Sequence, residues 1–437
     1  MFVKDSINTF LIRCAIYVLA FAISIVISNL GQEVKGQVAV VIFVAGLVQI
    51  ISTMGYDVAI VFFLRQGKFD YDTIARNLNA LIPILIPVWT LLLFPLMYYL
   101  HSIGLFGEID FILIAACFVI CPASALMNIQ MGILIGSGEI PGANKIGFLF
   151  NALYLLFVLA ATLFMFADTW TVIAAYAAAL LAAGLLGVAM NFGRGRSRRG
   201  FEWDKAVIKD LGSWGIRSQA GALARRMTNR VDLFLTNFYS TAFLAGVYSV
   251  ALNWAELPQF IPVLLVYVLF PHASGREKAA SIDLTNRITR LSLLTLLLMS
   301  VVICVAFPFM ERLIYKPDYS EAMLPLMIVL PGLVLKGLFR VLMGGLDGLG
   351  KPQYSTIASY VALASTVALN IILIPRFGMI GAAASTSITG AVAFFVMAHY
   401  YRKISEANWS DFLIVHRADL AQVFASLKNE LFHRRNG

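Results

Sequence analysis

The stretch 213–235 carries Arg217, Arg225, Arg226 and Arg230 together with Asn229 and Asp232, in a frame of small and apolar residues. On a helix, Arg226 and Arg230 lie one turn apart on one face, while Arg225, Asn229 and Asp232 follow a second stripe at i, i+4 and i+7. Guanidinium forks hold phosphate oxygens bidentately, so this pattern points to binding of an anion and not to covalent catalysis. Lys336 and Arg340 repeat the i, i+4 spacing further along the chain. Acidic residues in comparable apolar surroundings are few: Asp57, Asp232 and Glu256. Each carboxyl could carry a coupling proton or sodium ion, or could pair with one of the cations. Cys117 and Cys121 share a helix face, but no His or further Cys stands near them, so packing and not a metal site is expected. No G-x-x-x-x-G-K-[ST] run occurs, which argues against nucleotide hydrolysis; no cofactor is implied.

These charges need a frame, and composition supplies it. The chain has 437 residues, of which 60% are hydrophobic and 13% charged, with a mean hydropathy of +0.83. Soluble domains carry about 45–50% apolar and about 25% charged residues, so a soluble enzyme is excluded. Apolar windows of spanning length fall near 9–29, 37–64, 77–101, 110–136, 145–167 and 170–192. A second set falls near 211–238, 241–272, 288–310, 320–346, 353–375 and 378–401. The first window carries Arg13 and no clear cleavage site, so it reads as a retained span and not a signal peptide. Placing the N-terminus inside puts 22 basic residues on cytoplasmic segments and 4 (Lys35, Arg312, Lys316, Arg376) on the outer side. That asymmetry predicts both termini inside, and it explains the net charge of +9 without nucleic acid.

An internal repeat organises the spans. Gly132, Gly136 and Gly138 at the end of the fourth window match Gly344, Gly348 and Gly350 at the end of the tenth, at an offset of 212. In both places a Pro and a new span follow, which suits close helix packing and a tight turn. The pattern predicts an all-α polytopic membrane protein with twelve transmembrane helices in two six-helix bundles, related by a parallel pseudo-two-fold repeat. The expected division is a first bundle over 1–192, a basic cytoplasmic linker over 193–210, a second bundle over 211–403 and an amphipathic cytoplasmic tail over 404–437. The linker reads as a solvated hinge or as a contact with anionic lipid heads. The outer connections are too short to hold a catalytic domain.

Arginine at bilayer depth costs about 2.5–3.5 kcal/mol on insertion scales, so several in one span must face a watery cavity or partners. Snorkelling to the inner surface would account for Arg13 and Arg340, whereas Lys336 sits deeper. The set predicts a cationic lumen between two lobes. Such a lumen suits an anion larger than chloride, with pyrophosphate joined to an acidic sugar as a good fit. Two lobes without an outer domain describe an alternating-access transporter, not an enzyme.

Longer motifs extend this reading. Asn229-Arg-Val-Asp-Leu-Phe-Leu235, Ala245-Gly-Val-Tyr-Ser-Val-Ala251, Ala255-Glu-Leu257 and Leu269-Phe-Pro271 resemble the second half of polysaccharide flippases. So do Gly345-Leu-Asp-Gly-Leu-Gly-Lys-Pro352, Asn370-Ile-Ile-Leu-Ile-Pro375 and Gly378-Met-Ile-Gly-Ala-Ala-Ala384, and Gly55-Tyr-Asp-Val-Ala59 before Arg65 is similar too. The chain thus resembles the O-antigen and exopolysaccharide repeat-unit translocases (Wzx-type), in the exporter superfamily that also holds multidrug extruders and lipid II flippases. The resemblance implies ion-coupled transfer of undecaprenyl-pyrophosphate-linked oligosaccharide across the bacterial inner membrane. It implies a proton or sodium gradient and membrane lipids as partners, with a polysaccharide polymerase and a chain-length regulator beside it. Arg217, Arg225, Arg226, Asn229, Arg230, Lys336 and Arg340 would bind substrate, and only Arg230 and Asp232 match the family by motif. The alternative is an ion-coupled multidrug or metabolite antiporter of the same superfamily, but lumen arginines suit its usual organic cations poorly.

Overall fold

The computed structural model describes residues 2–164, 167–192, 202–260, 262, 278–316 and 318–415. The basic linker up to residue 201, the end of the eighth predicted span and the tail beyond 415 lie outside the described residues. All regular structure among the described residues is helical. The helices are α1 (Phe2–Ser28), α2 (Gln32–Thr53), α3 (Tyr56–Gln66), α4 (Tyr71–Ser102), α5 (Phe111–Ala115), α6 (Cys117–Gly136), α7 (Ile140–Phe164) and α8 (Thr169–Phe192). They continue with α9 (Lys205–Tyr239), α10 (Ala242–Glu256), α11 (Lys278–Ile314), α12 (Met323–Gly348), α13 (Pro352–Ser405) and α14 (Trp409–Leu413). Among the described residues, eight helical stretches are long and apolar enough to cross a membrane, which makes this a polytopic all-helical membrane protein.

Two long apolar runs are interrupted. Left-handed Met54 and Gly55 separate α2 from α3. Within α13, Gly378 leaves the helix at φ 54°, ψ −134°. On a straight helix Thr366 and Thr389 would lie about 35 Å apart, at about 1.5 Å per residue. Their hydroxyl oxygens are 3.4 Å apart, so the arms of α13 fold back on each other about the break. This agrees with the separate windows expected at 353–375 and 378–401.

The repeated glycines form matching turns. After α6, Ser137 has φ −79°, ψ 3°, and Gly138 has φ 85°. After α12, Leu349 has φ −78°, ψ 4°, and Gly350 has φ 74°. The amide of Glu139 donates to the Leu134 carbonyl (2.8 Å), and Lys351 to Leu346 (3.0 Å), each pair shifted by the repeat offset. A side chain on either glycine would strain the left-handed backbone, which accounts for Gly at both places.

Packing divides the chain into two compact units. The first comprises Met1–Val250, Arg312–Tyr319 and Ile374–Met379; the second comprises Ala251–Glu311, Ser320–Leu373 and Ile380–Gly437. Helix α9 therefore packs with the first unit, although the repeat assigns it to the second bundle; packing and chain topology are different properties. In the first unit α2 and α3 are gripped through glycines. A Cβ on Gly36 would overlap the Ala242 carbonyl, one on Gly246 the Gln32 carbonyl, and one on Gly55 the Gly215 carbonyl. On another side, Gly132 and Gly136 of α6 accommodate the backbone of Asp57 and the side chain of Leu64. In the second unit, Leu338, Leu342 and Leu346 of α12 pack with Phe394, Met397 and Tyr401 of α13. Tyr401 donates to Asn286 Oδ1 (2.8 Å), and Arg290 caps α14 at the Asp411 carbonyl.

Candidate anion site

Helices α2, α6, α8 and α9 meet at the level of Ala45 and Gly46. Arg226 reaches from α9 to α2, where its Nη2 donates to the Ile42 carbonyl (3.2 Å) and its guanidinium fills the notch left by Gly46. Its Nε is buried without an acceptor. Tyr176 of α8 and Arg230 of α9 are its near electrostatic neighbours. From α6, the Cys121 thiol meets the Ala45 carbonyl (3.5 Å), and Cys117 meets Val41 (3.8 Å), so both cysteines pack against α2 as expected.

A further cation belongs to this group. Lys35 was expected on the outer connection before the second span, but it lies inside α2 with only 6% of its surface exposed. Its ammonium donates to Ser24 Oγ (2.8 Å) and approaches the Ser24 carbonyl (3.3 Å) on α1, and Arg230 is its charged neighbour. Burying a cation is costly unless it is paired. The hydrogen-bond partners of Lys35 and Arg226 are neutral oxygens. The signal that could have revealed Lys35 is its register: residues 35, 39, 42 and 46 form one stripe of α2 that ends at the Gly46 notch.

Asp232 is buried and bonded. Its Oδ1 accepts from the Leu233 amide (2.8 Å) and its Oδ2 from the buried Tyr248 hydroxyl (2.7 Å). Tyr248→Phe should therefore cost about 1–3 kcal/mol, the penalty for removing one partner of a buried polar pair. A lowered thermal midpoint of the purified protein in detergent would register it.

Arg217 and Asn229 are exposed, and Arg217 precedes Arg226 by about 13 Å along α9. The side chain of Arg225 lies outside the described residues. Asp57 lies in the first turn of α3 and holds a buried carboxylate oxygen, Oδ1, that has no hydrogen-bond donor. Glu256 at the end of α10, and Lys336 and Arg340 one turn apart on α12, are half-buried in the second unit. No group of three or more His, Cys, Asp or Glu able to hold a metal ion exists among the described residues.

Beyond Gly55, α3 and α9 close on each other. The Tyr56 hydroxyl donates to the Ile208 carbonyl (3.3 Å), Trp214 stacks on Phe62 (4.4 Å between centroids), and Lys68 pairs with Asp210 (2.7 Å). The pair is half exposed and so adds little stability by itself; the aromatic stack and the glycine contact carry the closure.

Comparison with known proteins adds the family. The model of the polysaccharide biosynthesis protein family matches residues 2–275. An uncharacterized membrane protein of Methanocaldococcus jannaschii is 26% identical over 200 residues, which is 45% of this chain and 39% of that protein. The "probable low-salt glycan biosynthesis flippase" of Haloferax volcanii is 22% identical over 232 residues, 51% of this chain and 49% of that protein. The chain thus spans less than half the length of each of these relatives. Among solved structures, the lipid II flippase MurJ in an inward closed conformation superposes with a TM-score of 0.77 at 15% identity, covering 96% of this chain and 92% of that one. An inward-facing multidrug resistance transporter of the MATE family follows with 0.70 at 17% identity, covering 90% and 96%. At these identities the superpositions establish a shared fold.

Proposed function

We propose, from the premise that this chain belongs to the polysaccharide biosynthesis protein family, that it is a flippase carrying undecaprenyl-pyrophosphate-linked oligosaccharide repeat units across the bacterial inner membrane. The observation that carries this reading is a buried Lys35 and a half-buried Arg226, two cations whose hydrogen-bond partners are neutral oxygens. A pyrophosphate supplies counter-charge to these cations. It can occupy the buried Nε of Arg226 together with Arg230, and Lys35 extends the positive surface along α2. The lipid tail stays in the bilayer while the glycan follows the phosphate.

In this reading the chain forms twelve spans in two six-helix bundles, with both termini on the cytoplasmic side. The bundles rock about the bound headgroup. Opening toward the cytoplasm separates α3 from α9 at Gly55, Trp214 and the Lys68–Asp210 pair. Lys336 and Arg340 receive the phosphates on one side of the cycle, and Arg217, Arg225 and Asn229 line the route of the glycan. A proton or sodium ion drives the cycle through a carboxylate. Asp57 is the best placed, because its Oδ1 lacks a donor that an arriving cation would replace, whereas Asp232 is already held by Tyr248. Glu256 is the third candidate. Product passes to a polysaccharide polymerase and a chain-length regulator.

The test is transfer of a radiolabelled polyprenyl-pyrophosphate oligosaccharide across proteoliposomes containing the purified chain, with and without an imposed proton or sodium gradient. Gradient-stimulated transfer is expected. Expulsion of soluble organic compounds without lipid-linked transfer would instead select the multidrug or metabolite antiporter.

A further inference from the structure

One aromatic group beside the anion site has an unmet hydrogen bond. Phe150 and Tyr154 stand one turn apart on α7, with rings 6.1 Å apart and 19° from parallel. Tyr176 of α8 meets both edge-on, at 5.6 Å and 5.2 Å. The Tyr154 side chain is 4% exposed, yet its hydroxyl has no hydrogen-bond partner. A buried hydroxyl left unpaired is costly, so it calls for a partner such as a water, an ion or a ligand group.

The position of Tyr176 indicates what that is. Its electrostatic neighbours include Arg226 and Cys121. Those two residues touch adjacent positions of α2, Cys121 at the Ala45 carbonyl and Arg226 over Gly46. Tyr176 is thereby placed at the level of the guanidinium. Tyr176 is half-buried, so part of its surface stays accessible. An aromatic face with a hydroxyl edge suits a sugar ring, whose C–H face packs on the ring while its hydroxyls bond the edge. A bare aromatic core would need neither the orphaned hydroxyl nor the neighbouring cation.

We propose that Tyr154 and Tyr176 form the subsite for the sugar bonded directly to the pyrophosphate. This rests on the reading of Arg226 as the phosphate ligand, since that sugar is the phosphate's immediate neighbour. The first sugar is then read by contacts in the first unit, on α7 and α8, and the subsite confers selectivity on an otherwise charge-driven site.

Binding to the full-length protein in nanodiscs tests it, by calorimetry with a short-chain polyprenyl pyrophosphate. The lipid is offered bare, or carrying one hexose, one N-acetylhexosamine or one 6-deoxyhexose. At least one sugar should tighten binding over the bare lipid. Tyr154→Phe should remove about fivefold of that gain, the worth of one neutral hydrogen bond of about 1 kcal/mol, and leave the bare lipid's Kd unchanged. Tyr154→Leu, which also removes the ring, should lose more of the same gain. The proposal is overturned if no sugar adds affinity, if Tyr154→Phe binds the preferred lipid like wild type, or if it weakens bare and sugar-bearing lipid equally. Failure of the bare pyrophosphate lipid to bind better than the matching polyprenol would instead overturn the phosphate-site reading, and the sugar subsite with it.

Discussion

Transfer of pyrophosphate-linked glycan should fall about a hundredfold when Arg226 and Arg230 are both replaced by alanine, while Arg226→Ala alone leaves the protein no less stable. Hydrogen bonds to charged groups are each worth about 1.5–3 kcal/mol, so losing two at the lower end removes about 3 kcal/mol, a factor of about 100. The arginines are near electrostatic neighbours, so the single variants should not sum to the double. Arg226→Lys keeps a charge but loses the fork and the buried Nε; its transfer rate should lie between wild type and Arg226→Ala. Stability should move the other way. Arg226 is bonded to a neutral carbonyl and lies near Arg230, so removing it relieves desolvation and like-charge repulsion. Transfer measured in proteoliposomes beside thermal unfolding in detergent decides the matter. A matching loss of stability and transfer would mean the arginines are structural.

The second large effect separates two glycines of α2. Gly36→Leu should destabilise the first unit by about 3 kcal/mol or more, the upper part of the range for overpacked sites. Its Cβ would overlap the Ala242 carbonyl and crowd the Gly246 amide, both backbone groups that cannot move without shifting α10. Loss of the monodisperse detergent-purified protein is the expected readout. The three atoms nearest to a Cβ on Gly46 all belong to the guanidinium of Arg226, the far end of a flexible side chain. Gly46→Ala should purify and melt like wild type yet transfer substrate more slowly, because Arg226 is pushed off its seat. Equal loss of fold in both variants would show that the Gly46 notch serves helix packing and not the arginine.

Features set by a few neighbouring residues were legible in the chain itself. The membrane class follows from apolar runs, because backbone groups in lipid must bond within their own helix. The stripe of Arg226 and Arg230 follows from helical period alone. The paired turns at Gly138 and Gly350 follow from the glycine a left-handed cap requires. The motifs around Asn229 and Gly345 pointed to the same family that the comparison shows.

The rest depended on which faces meet. Lys35 looks, along the chain, like one more charge at the edge of an apolar run; only the approach of α2 to α1 places its ammonium on Ser24. Arg217 and Arg226 look alike in sequence, and the packing of α9 exposes one while seating the other over Gly46. Phe150, Tyr154 and Tyr176 read as ordinary apolar residues until α7 and α8 bring their rings together. Composition and period therefore determined by themselves that this is a helical membrane protein with arginines inside it, since both are local properties of the chain. Tertiary structure decided which side chains are buried and which residues they meet, since contacts between distant residues depend on how helix surfaces interlock.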